Sequence, residues 1–240
     1  MLLEITEKEL PEIFKEAFNN WQYIFRKKVS RMPFKGINWQ GEDKNLKAHN
    51  SLEEYLTWCC YHTAISEPYR DDGFYSRDFT FLLTTMHPNL CIELGTDKGM
   101  GTFMISRLID PLVFYTIDNR EKAPLPGDTW VETGYIAKIN DVDANYIIGN
   151  SSETKLDFEI DFCFIDADHS EDGVYKDSWW AWNNRNKTKF LILWHDYRIG
   201  NPEFDGLIRG VNKFSEEVKW PLYKLKDSSL VWMYRDYSDS

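Results

Sequence analysis

Residues 90–102 read LCIELGTDKGMGT and contain the pattern that decides the fold. The first five residues form a short apolar run, which is typical of a strand buried on both faces of a parallel sheet. Gly95 and Gly99 follow, and glycine allows a backbone to turn sharply and to approach a ligand closely. A helical pattern begins at Thr102, and the first N–H groups of a helix attract polar or negative groups. The stretch therefore predicts a strand–loop–helix unit with a ligand site at the carboxyl end of the strand.

Six more short apolar runs follow this unit, and helical patterns separate most of them. Only four polar residues, 226–229, join the last two runs, which indicates a closing hairpin with a reversed final strand. Strands that alternate with helices predict an α/β protein with a doubly wound, Rossmann-like, seven-stranded sheet. The predicted strands are 90–94, 112–117, 146–148, 162–165, 190–194, 222–225 and 230–234, and the predicted helices are 76–86, 102–109, 129–139, 173–182 and 206–218.

The first 88 residues have a different pattern, which is helical and contains no recognisable strand. Apolar aromatic residues recur there at helical spacing, and such a stripe more often indicates packing than a binding surface. We therefore expect an α-helical N-terminal extension over residues 1–88, acting as a cap, a lid or a contact in a homo-oligomer. A second domain is expected over residues 89–240. The aromatic residues of the stripe are Phe14, Phe18, Trp21 and Phe25.

Composition excludes several classes of protein. The chain has 28 Lys and Arg against 39 Asp and Glu, a net charge of −11, which disfavours a nucleic-acid partner. No apolar stretch approaches the roughly 20 residues of a membrane helix, and the N-terminal residues lack the pattern of a secretory signal. The cysteines, Cys59, Cys60, Cys91 and Cys163, lack metal-finger spacing. Reduced thiols in a cytoplasmic protein are the expectation.

Polar residues follow the first three predicted strands. Glu93 stands two positions before Gly95, where a carboxylate would oppose a pyrophosphate but suits a ligand with an ammonium group. Asp118 ends the second strand and is placed to accept hydrogen bonds from two ribose hydroxyls. Asn150, after the third strand, can contact an adenine edge. A dinucleotide-dependent oxidoreductase is an alternative that Glu93 and the reversed strand pair disfavour.

These features resemble the S-adenosylmethionine loop and the acidic ribose-binding residue of class I methyltransferases. The stretch 164–170, FIDADHS, and His195-Asp196-Tyr197 are similar to one subgroup, the small-molecule and macrolide-sugar O-methyltransferases. The resemblance covers residues 85–235 and implies methyl transfer from S-adenosylmethionine to a hydroxyl of a small molecule or sugar. The cofactor-binding residues that it implies are Glu93, Gly95, Thr96, Gly99, Asp118, Asn150, Ser151 and Asp166.

Asp166 ends the fourth strand, and His195 and Asp196 end the fifth. Neighbouring strand ends meet at one edge of the sheet, so two carboxylates and an imidazole can converge there on Mg²⁺ or Mn²⁺. Similarity to metal-dependent catechol-type O-methyltransferases implies Asp166 and Asp196 as ligands, with His195 as the third. The alternative has no metal, and His195 then acts as general base, oriented by Asp166 or Asp196. The sequence leaves both readings open.

Three further segments border the predicted site. Asp168 can either add a ligand or cap the following helix, and His169 is an additional catalytic candidate. The loop at 198–205 is expected to form a wall of the acceptor site, and residues 69–75 form either a lid or a surface turn. A non-catalytic relative is the remaining alternative, in which the motif residues would not converge.

Overall fold

One eight-stranded sheet, with helices on both faces, organises the described part of the chain. The structure, a computed structural model, describes residues 1–25, 27–28, 77–125, 129–226 and 228–236. The strands are β1 (Leu2–Ile5), β2 (Leu90–Leu94), β3 (Val113–Asp118), β4 (Lys122–Leu125), β5 (Thr129–Glu132), β6 (Asn145–Ile148), β7 (Phe162–Ile165), β8 (Phe190–Trp194), β9 (Leu222–Leu225) and β10 (Val231–Arg235). The helices are α1 (Glu12–Asn19), α2 (Trp21–Phe25), α3 (Arg77–Met86), α4 (Met100–Ile109), α5 (Tyr135–Ile139), α6 (Glu171–Asn184) and α7 (Asp205–Val218).

The order of strands in the sheet is β1-β9-β10-β8-β7-β2-β3-β6. Strand β2 pairs in parallel with β3 on one side and with β7 on the other, and β10 runs antiparallel to both β8 and β9. The predicted doubly wound α/β sheet with a reversed final strand is therefore confirmed. Because β2, β3, β6, β7 and β8 are parallel, their carboxyl ends meet at one edge, where such sheets bind ligands.

The N-terminal segment contributes a strand, which corrects the expectation of a purely helical extension. Strand β1 pairs in parallel with β9, with Leu2 opposite Leu222, so the sheet has eight strands and not the seven predicted. A four-residue strand is too short for its sequence to show a period. Its pairing depends on the open edge of β9, which lies more than 200 residues later in the chain.

A second correction concerns residues 129–139, which were expected to form a single helix. The first part is strand β5, which pairs with β4 in a separate two-stranded sheet, and only Tyr135–Ile139 is helical. Gly134 separates the two parts with a φ of 78°, in the left-handed region that interrupts a helix.

The other predicted helices are present, with starts displaced by one or two residues. Helix α4 begins at Met100, α6 at Glu171 and α7 at Asp205. Such shifts are normal because helix ends depend on capping contacts. None of the helices in the described ranges combines the length and the apolar character needed to cross a membrane.

Buried aromatic side chains fill the layers on both faces of the sheet. On one face, Phe14 and Phe18 of α1 pack edge-on against Phe81 of α3, with ring centroids 5.8 and 5.3 Å apart. On the other face, Trp194 of β8 packs against Phe214 of α7 at 6.0 Å. The packing role predicted for the N-terminal aromatic stripe is therefore confirmed for its first two members, which are buried.

The two described cysteines are buried and free, as predicted. Cys91 lies in β2 and Cys163 in β7, and burial raises the pKa of both thiols. Cys59, Cys60 and the lid or turn expected at residues 69–75 lie outside the described residues.

Candidate active site

An open cleft of about 750 Å³ lies beyond the carboxyl ends of β2, β3, β6 and β7. Strand β2 is central among these, with β7 on one side and β3 followed by β6 on the other. The cleft is therefore at the place where the topology predicts a ligand. Five of the residues implied as cofactor-binding line it, namely Gly95, Asp118, Asn150, Ser151 and Asp166.

The glycines of the first loop are required by close backbone contacts. Gly95 has a φ of 94°, and a Cβ added there would lie 2.0 Å from the carbonyl oxygen of Asp166. Gly99 has a φ of 87°, and its added Cβ would lie 2.8 Å from the Cα of Gly134. The loop therefore touches the end of β7 on one side and the start of α5 on the other.

The sequence predicts Glu93 as a cofactor-binding residue. Its side chain instead lies beneath the loop and is not among those that line the cleft. Its side chain is 1% exposed and accepts hydrogen bonds from the hydroxyls of Thr102 and Thr116, the second at 2.7 Å. Thr96 is also buried, with its hydroxyl 2.5 Å from that of Thr116. These four side chains tie the loop to β3 and α4 from behind. Glu93 is thus no obstacle to a pyrophosphate, and only the reversed strand still disfavours a dinucleotide enzyme.

We expect Glu93→Gln to change how stability depends on pH. Burial raises the pKa of Glu93 to about 8, although its threonine hydrogen bonds oppose this shift. The folded chain then holds the proton more tightly than the unfolded chain, so this group makes the wild type less stable as pH rises from about 5 to 8. Relative to the wild type, the variant should gain up to roughly 4 kcal/mol of unfolding free energy over that interval.

Urea unfolding at pH 5 and pH 8 measures this difference. The exposed Glu153→Gln is the matched control, and its difference from the wild type should stay the same at both pH values. An equally constant difference for Glu93→Gln would contradict the prediction.

Asp118 ends β3 with its carboxylate at the cleft. One oxygen accepts a hydrogen bond from the N–H of Asp97 at 2.8 Å, and the other accepts from the N–H of Arg120 at 2.9 Å. The guanidinium of Arg120 lies 3.3 Å from the same carboxylate. A carboxylate has about four acceptor positions, and these contacts occupy three, so capacity remains for one ribose hydroxyl. Binding of a ribose by Asp118 stays a prediction that this geometry permits.

Asn150 and Ser151 form the turn after β6. The side-chain oxygen of Asn150 accepts hydrogen bonds from the N–H and the hydroxyl of Ser152, at 3.0 and 2.8 Å. The hydroxyl of Ser151 donates to Asp177, a buried aspartate of α6 that also lines the cleft. The oxygen of Asn150 is therefore engaged within the turn, which leaves its amide N–H groups to meet an adenine edge.

Asp166, His195 and Asp196 form a cluster at the ends of β7 and β8. Nδ1 of His195 lies 3.1 Å from Oδ1 of Asp166 and 3.3 Å from Oδ2 of Asp196. One ligand atom from each of the three residues lies within 4.8 Å of the others. The structure thus brings together the residues predicted to hold a metal. The alternative of a non-catalytic relative predicted that these residues would not converge, and that expectation is wrong. The arrangement suits a divalent cation, and it also suits an imidazole oriented by carboxylates.

Opposite charges dominate the electrostatics of this cluster. Burial alone would lower the pKa of His195, but the carboxylates of Asp166 and Asp196 outweigh it and raise the pKa to about 10. Burial likewise opposes the charge of Asp196, yet His195 and Arg198 lower its pKa overall.

Asp196 has a φ of 57°, which is uncommon outside glycine. Strained backbone of this kind concentrates at functional sites.

The neighbouring candidates occupy the rim of the cluster. Nε2 of His169 lies 3.5 Å from Oδ2 of Asp196, and its ring packs edge-on against Phe204 in the predicted wall of the acceptor site. Asp168 does not cap α6 directly. Ser170 is the cap, since its hydroxyl accepts from the N–H of Gly173 at 3.1 Å, and Asp168 accepts from Ser170 in turn.

The charged residues at the cleft to which the sequence had assigned no role are Arg120, Asp172, Lys176 and Asp177. Arg120 lies in an ordinary polar loop and gives no signal. Asp177 does give one, because it shares a helical face with Val174, Ser178 and Ala181, all of which are buried. An acidic side chain on the buried face of an amphipathic helix needs a hydrogen-bond donor or a positive charge beside it, so its presence there predicts a specific contact.

Comparison with known proteins indicates a methyltransferase domain. Residues 92–197 match a family model described as a methyltransferase domain. A methyltransferase from Podospora anserina with SAH bound is 16% identical, with a TM-score of 0.52, covering 95% of this chain and 91% of that one. An O-methyltransferase from Bacillus cereus in complex with SAH is 17% identical, with a TM-score of 0.51 and coverages of 76% and 88%. No curated protein sequence matches the chain. Residues 92–197 thus match a methyltransferase domain, and the strand order and the structural neighbours show the fold of class I S-adenosylmethionine-dependent methyltransferases.

Proposed function

We propose that the chain transfers the methyl group of S-adenosylmethionine to a hydroxyl oxygen of a small molecule or sugar. The observation that carries this proposal is that Asp166 belongs both to the cofactor cleft and to the cluster with His195 and Asp196. It lines the cofactor cleft and also lies 3.1 Å from His195, so the cluster stands where the cleft ends at β7. A methyl donor bound in the cleft can thus meet an acceptor held beside the cluster. The two SAH-bound neighbours share the fold and support the choice of donor.

The reaction is an in-line displacement at the methyl carbon. The acceptor oxygen forms the new C–O bond as the C–S bond breaks, the sulfonium becomes a neutral thioether, and the hydroxyl proton passes to a base or to solvent. The protein's task is then alignment of the two substrates, which can supply roughly 7–11 kcal/mol of the barrier, together with removal of the proton.

The chain's own residues divide these tasks. The turn at Gly95 brings the backbone against the donor, and Asp118 accepts a hydrogen bond from the ribose. His169 and Arg198, which both contact Asp196, border the acceptor. Asp166, Asp196 and His195 fit a divalent cation by their donor atoms and spacing. Such a cation would supply Lewis acidity that eases loss of the acceptor proton.

Labelled methyl transfer tests the proposal. The purified chain is incubated with methyl-labelled S-adenosylmethionine and catechols, phenols or sugars, and O-methyl products are measured by mass spectrometry. We expect label on oxygen, at least about a hundredfold less product after EDTA treatment, and recovery with Mg²⁺ or Mn²⁺. Full activity after metal removal would instead show that the reaction needs no cation. Label on nitrogen or carbon only would overturn the proposed acceptor.

We expect Asp118→Asn to weaken binding of S-adenosylhomocysteine by about tenfold to a hundredfold. A hydrogen bond to a charged group contributes roughly 1.5–3 kcal/mol, and the amide accepts fewer such bonds. Titration calorimetry measures the change, with Asp143→Asn, at an exposed position before β6 and outside the cleft lining, as a control of equal charge. Unchanged affinity in Asp118→Asn would show that the ribose lies elsewhere.

A further inference from the structure

A group of positively charged side chains lies at the end of the sheet opposite the cofactor cleft. The turn between α6 and β8 reads RNKTK over residues 185–189, and Arg235 ends β10 beside it. Arg235 is paired with Phe190 at the start of β8, and its guanidinium donates to the carbonyl oxygen of Lys187 at 3.1 Å. The basic patch, as we call this group, consists of Arg185, Lys187, Lys189 and Arg235.

The basic patch carries charge that its surroundings do not balance. The chain as a whole has a net charge of −11, yet none of the four cations forms an ion pair within the described residues. Burial lowers the pKa of Arg185, the charge of Arg235 lowers it further, and the exposed Glu159 opposes both effects. Like charges held close together repel one another, so an anion between them would be stabilising.

Aromatic rings hold the two guanidinium groups of the patch in place. The guanidinium of Arg185 lies 3.3 Å from the ring centroid of Trp182 and donates to the carbonyl oxygen of the same residue. The guanidinium of Arg235 lies 5.8 Å from the ring centroid of Trp220. The two indole rings are in contact, with centroids 5.9 Å apart. Both cations therefore rest on one aromatic surface, and little side-chain entropy is left to lose when a ligand binds.

The hydrogen-bonding capacity of these two arginines is far from used. Arg235 makes a single side-chain hydrogen bond within the described residues, so most of its five N–H donors remain available. The same part of the structure offers no partner to the buried Nε–H of Arg185. Donors without acceptors and charges without counter-charges both favour an anionic ligand.

The basic patch is separate from the cofactor cleft. Helix α6 starts beside the cleft, where Gly173 lines it, and ends at Asn184, directly before Arg185. A helix of this length spans roughly 20 Å, and no residue of the patch lines the cleft. An anion at the patch would therefore not compete with a ligand in the cleft.

We propose that Arg185 and Arg235, together with the turn at Lys187, form a binding site for a phosphate group carried by a small molecule. The inference does not depend on the proposed function, because the site shares no residue with the cleft. A guanidinium meets two oxygens of a phosphate with parallel N–H groups, and a phosphate has enough oxygens to serve two guanidiniums at once. A carboxylate, with a single charge and two oxygens, would balance only one of them.

Titration calorimetry of the full chain with inorganic phosphate and with pyrophosphate, at constant ionic strength, tests the proposal. We expect the wild type to bind at least one of these anions, one per chain, with a Kd below about 1 mM. Arg235→Gln should weaken this binding about tenfold to a hundredfold, because charge-assisted hydrogen bonds are lost. Arg120→Gln, which removes a guanidinium at the cleft, is the matched control. Its affinity should stay within about threefold, because charges so far apart are screened.

Every outcome decides for or against the site. Tighter binding of pyrophosphate supports a ligand with a diphosphate group, and equal binding of the two anions supports one with a single phosphate. Absence of binding to both anions overturns the inference, and so does a loss in Arg120→Gln that equals or exceeds the loss in Arg235→Gln. If Arg235→Gln does not fold, Lys187→Gln, at an exposed position of the turn, replaces it and should weaken binding at least about threefold. Unchanged affinity in that variant would likewise overturn the inference.

Discussion

Replacing Asp196 by asparagine should lower kcat/KM for the hydroxyl acceptor by about 10²–10⁴-fold. The carboxylate contacts Nδ1 of His195 at 3.3 Å and is one of the two acids of the cluster. Its loss removes a ligand if a cation assists the reaction, and it removes an orienting charge if His195 acts alone. Both versions of the mechanism therefore predict a large defect, because the acceptor keeps its proton.

The substitution should slow the chemical step and should not weaken cofactor binding. Asp196 is not part of the cleft lining within the described residues, so affinity for S-adenosylhomocysteine should change by less than about threefold. Asp143→Asn, at an exposed position before β6 and outside the cleft lining, is the matched loss of charge and should keep normal kcat/KM. An active Asp196→Asn enzyme would remove the cluster from the mechanism.

Local sequence patterns were sufficient for the central fold. The strands at Leu90–Leu94 and Phe190–Trp194 are buried on both faces, so each appears as a continuous apolar run that needs no knowledge of its partners. Strand β1 could not be found in this way. Four residues contain no period, and their pairing with β9 is a contact between the two ends of the sequence.

The candidate site was predictable where topology alone determines it. Asp166 and His195 follow adjacent parallel strands, so their proximity follows from strand order. The direction of a side chain does not follow from topology. Glu93 occupies the expected position in the chain, yet strand alternation turns it inward to the threonines and away from the cleft. The sequence shows Asp177 on the buried face of α6, but only the placement of that helix against Ser151 shows that Asp177 lines the cleft.

Gly95→Ala should be the most damaging single substitution in the loop. The residue has a φ of 94°, which adds roughly 1–2 kcal/mol of strain for alanine. The new Cβ would also lie 2.0 Å from the carbonyl oxygen of Asp166, and backbone there cannot yield as the end of a side chain can. Overpacking of this kind costs typically 1–3 kcal/mol more, so we expect a total loss of about 3 kcal/mol or more in unfolding free energy.

Gly200→Ala separates the two contributions. Gly200 has a φ of 88°, but no atom lies within 4 Å of its added Cβ, so only the conformational strain applies. Urea unfolding should therefore show a loss of roughly 1–2 kcal/mol for Gly200→Ala and a clearly larger one for Gly95→Ala.

Relief of the clash in Gly95→Ala must displace the end of β7, and Asp166, which belongs to both the cleft and the cluster, moves with it. Affinity for S-adenosylhomocysteine should thus fall at least about a hundredfold in Gly95→Ala, or roughly 2.8 kcal/mol. Equal destabilisation by the two substitutions, with cofactor affinity preserved in Gly95→Ala, would mean that the loop does not depend on the contact between Gly95 and Asp166.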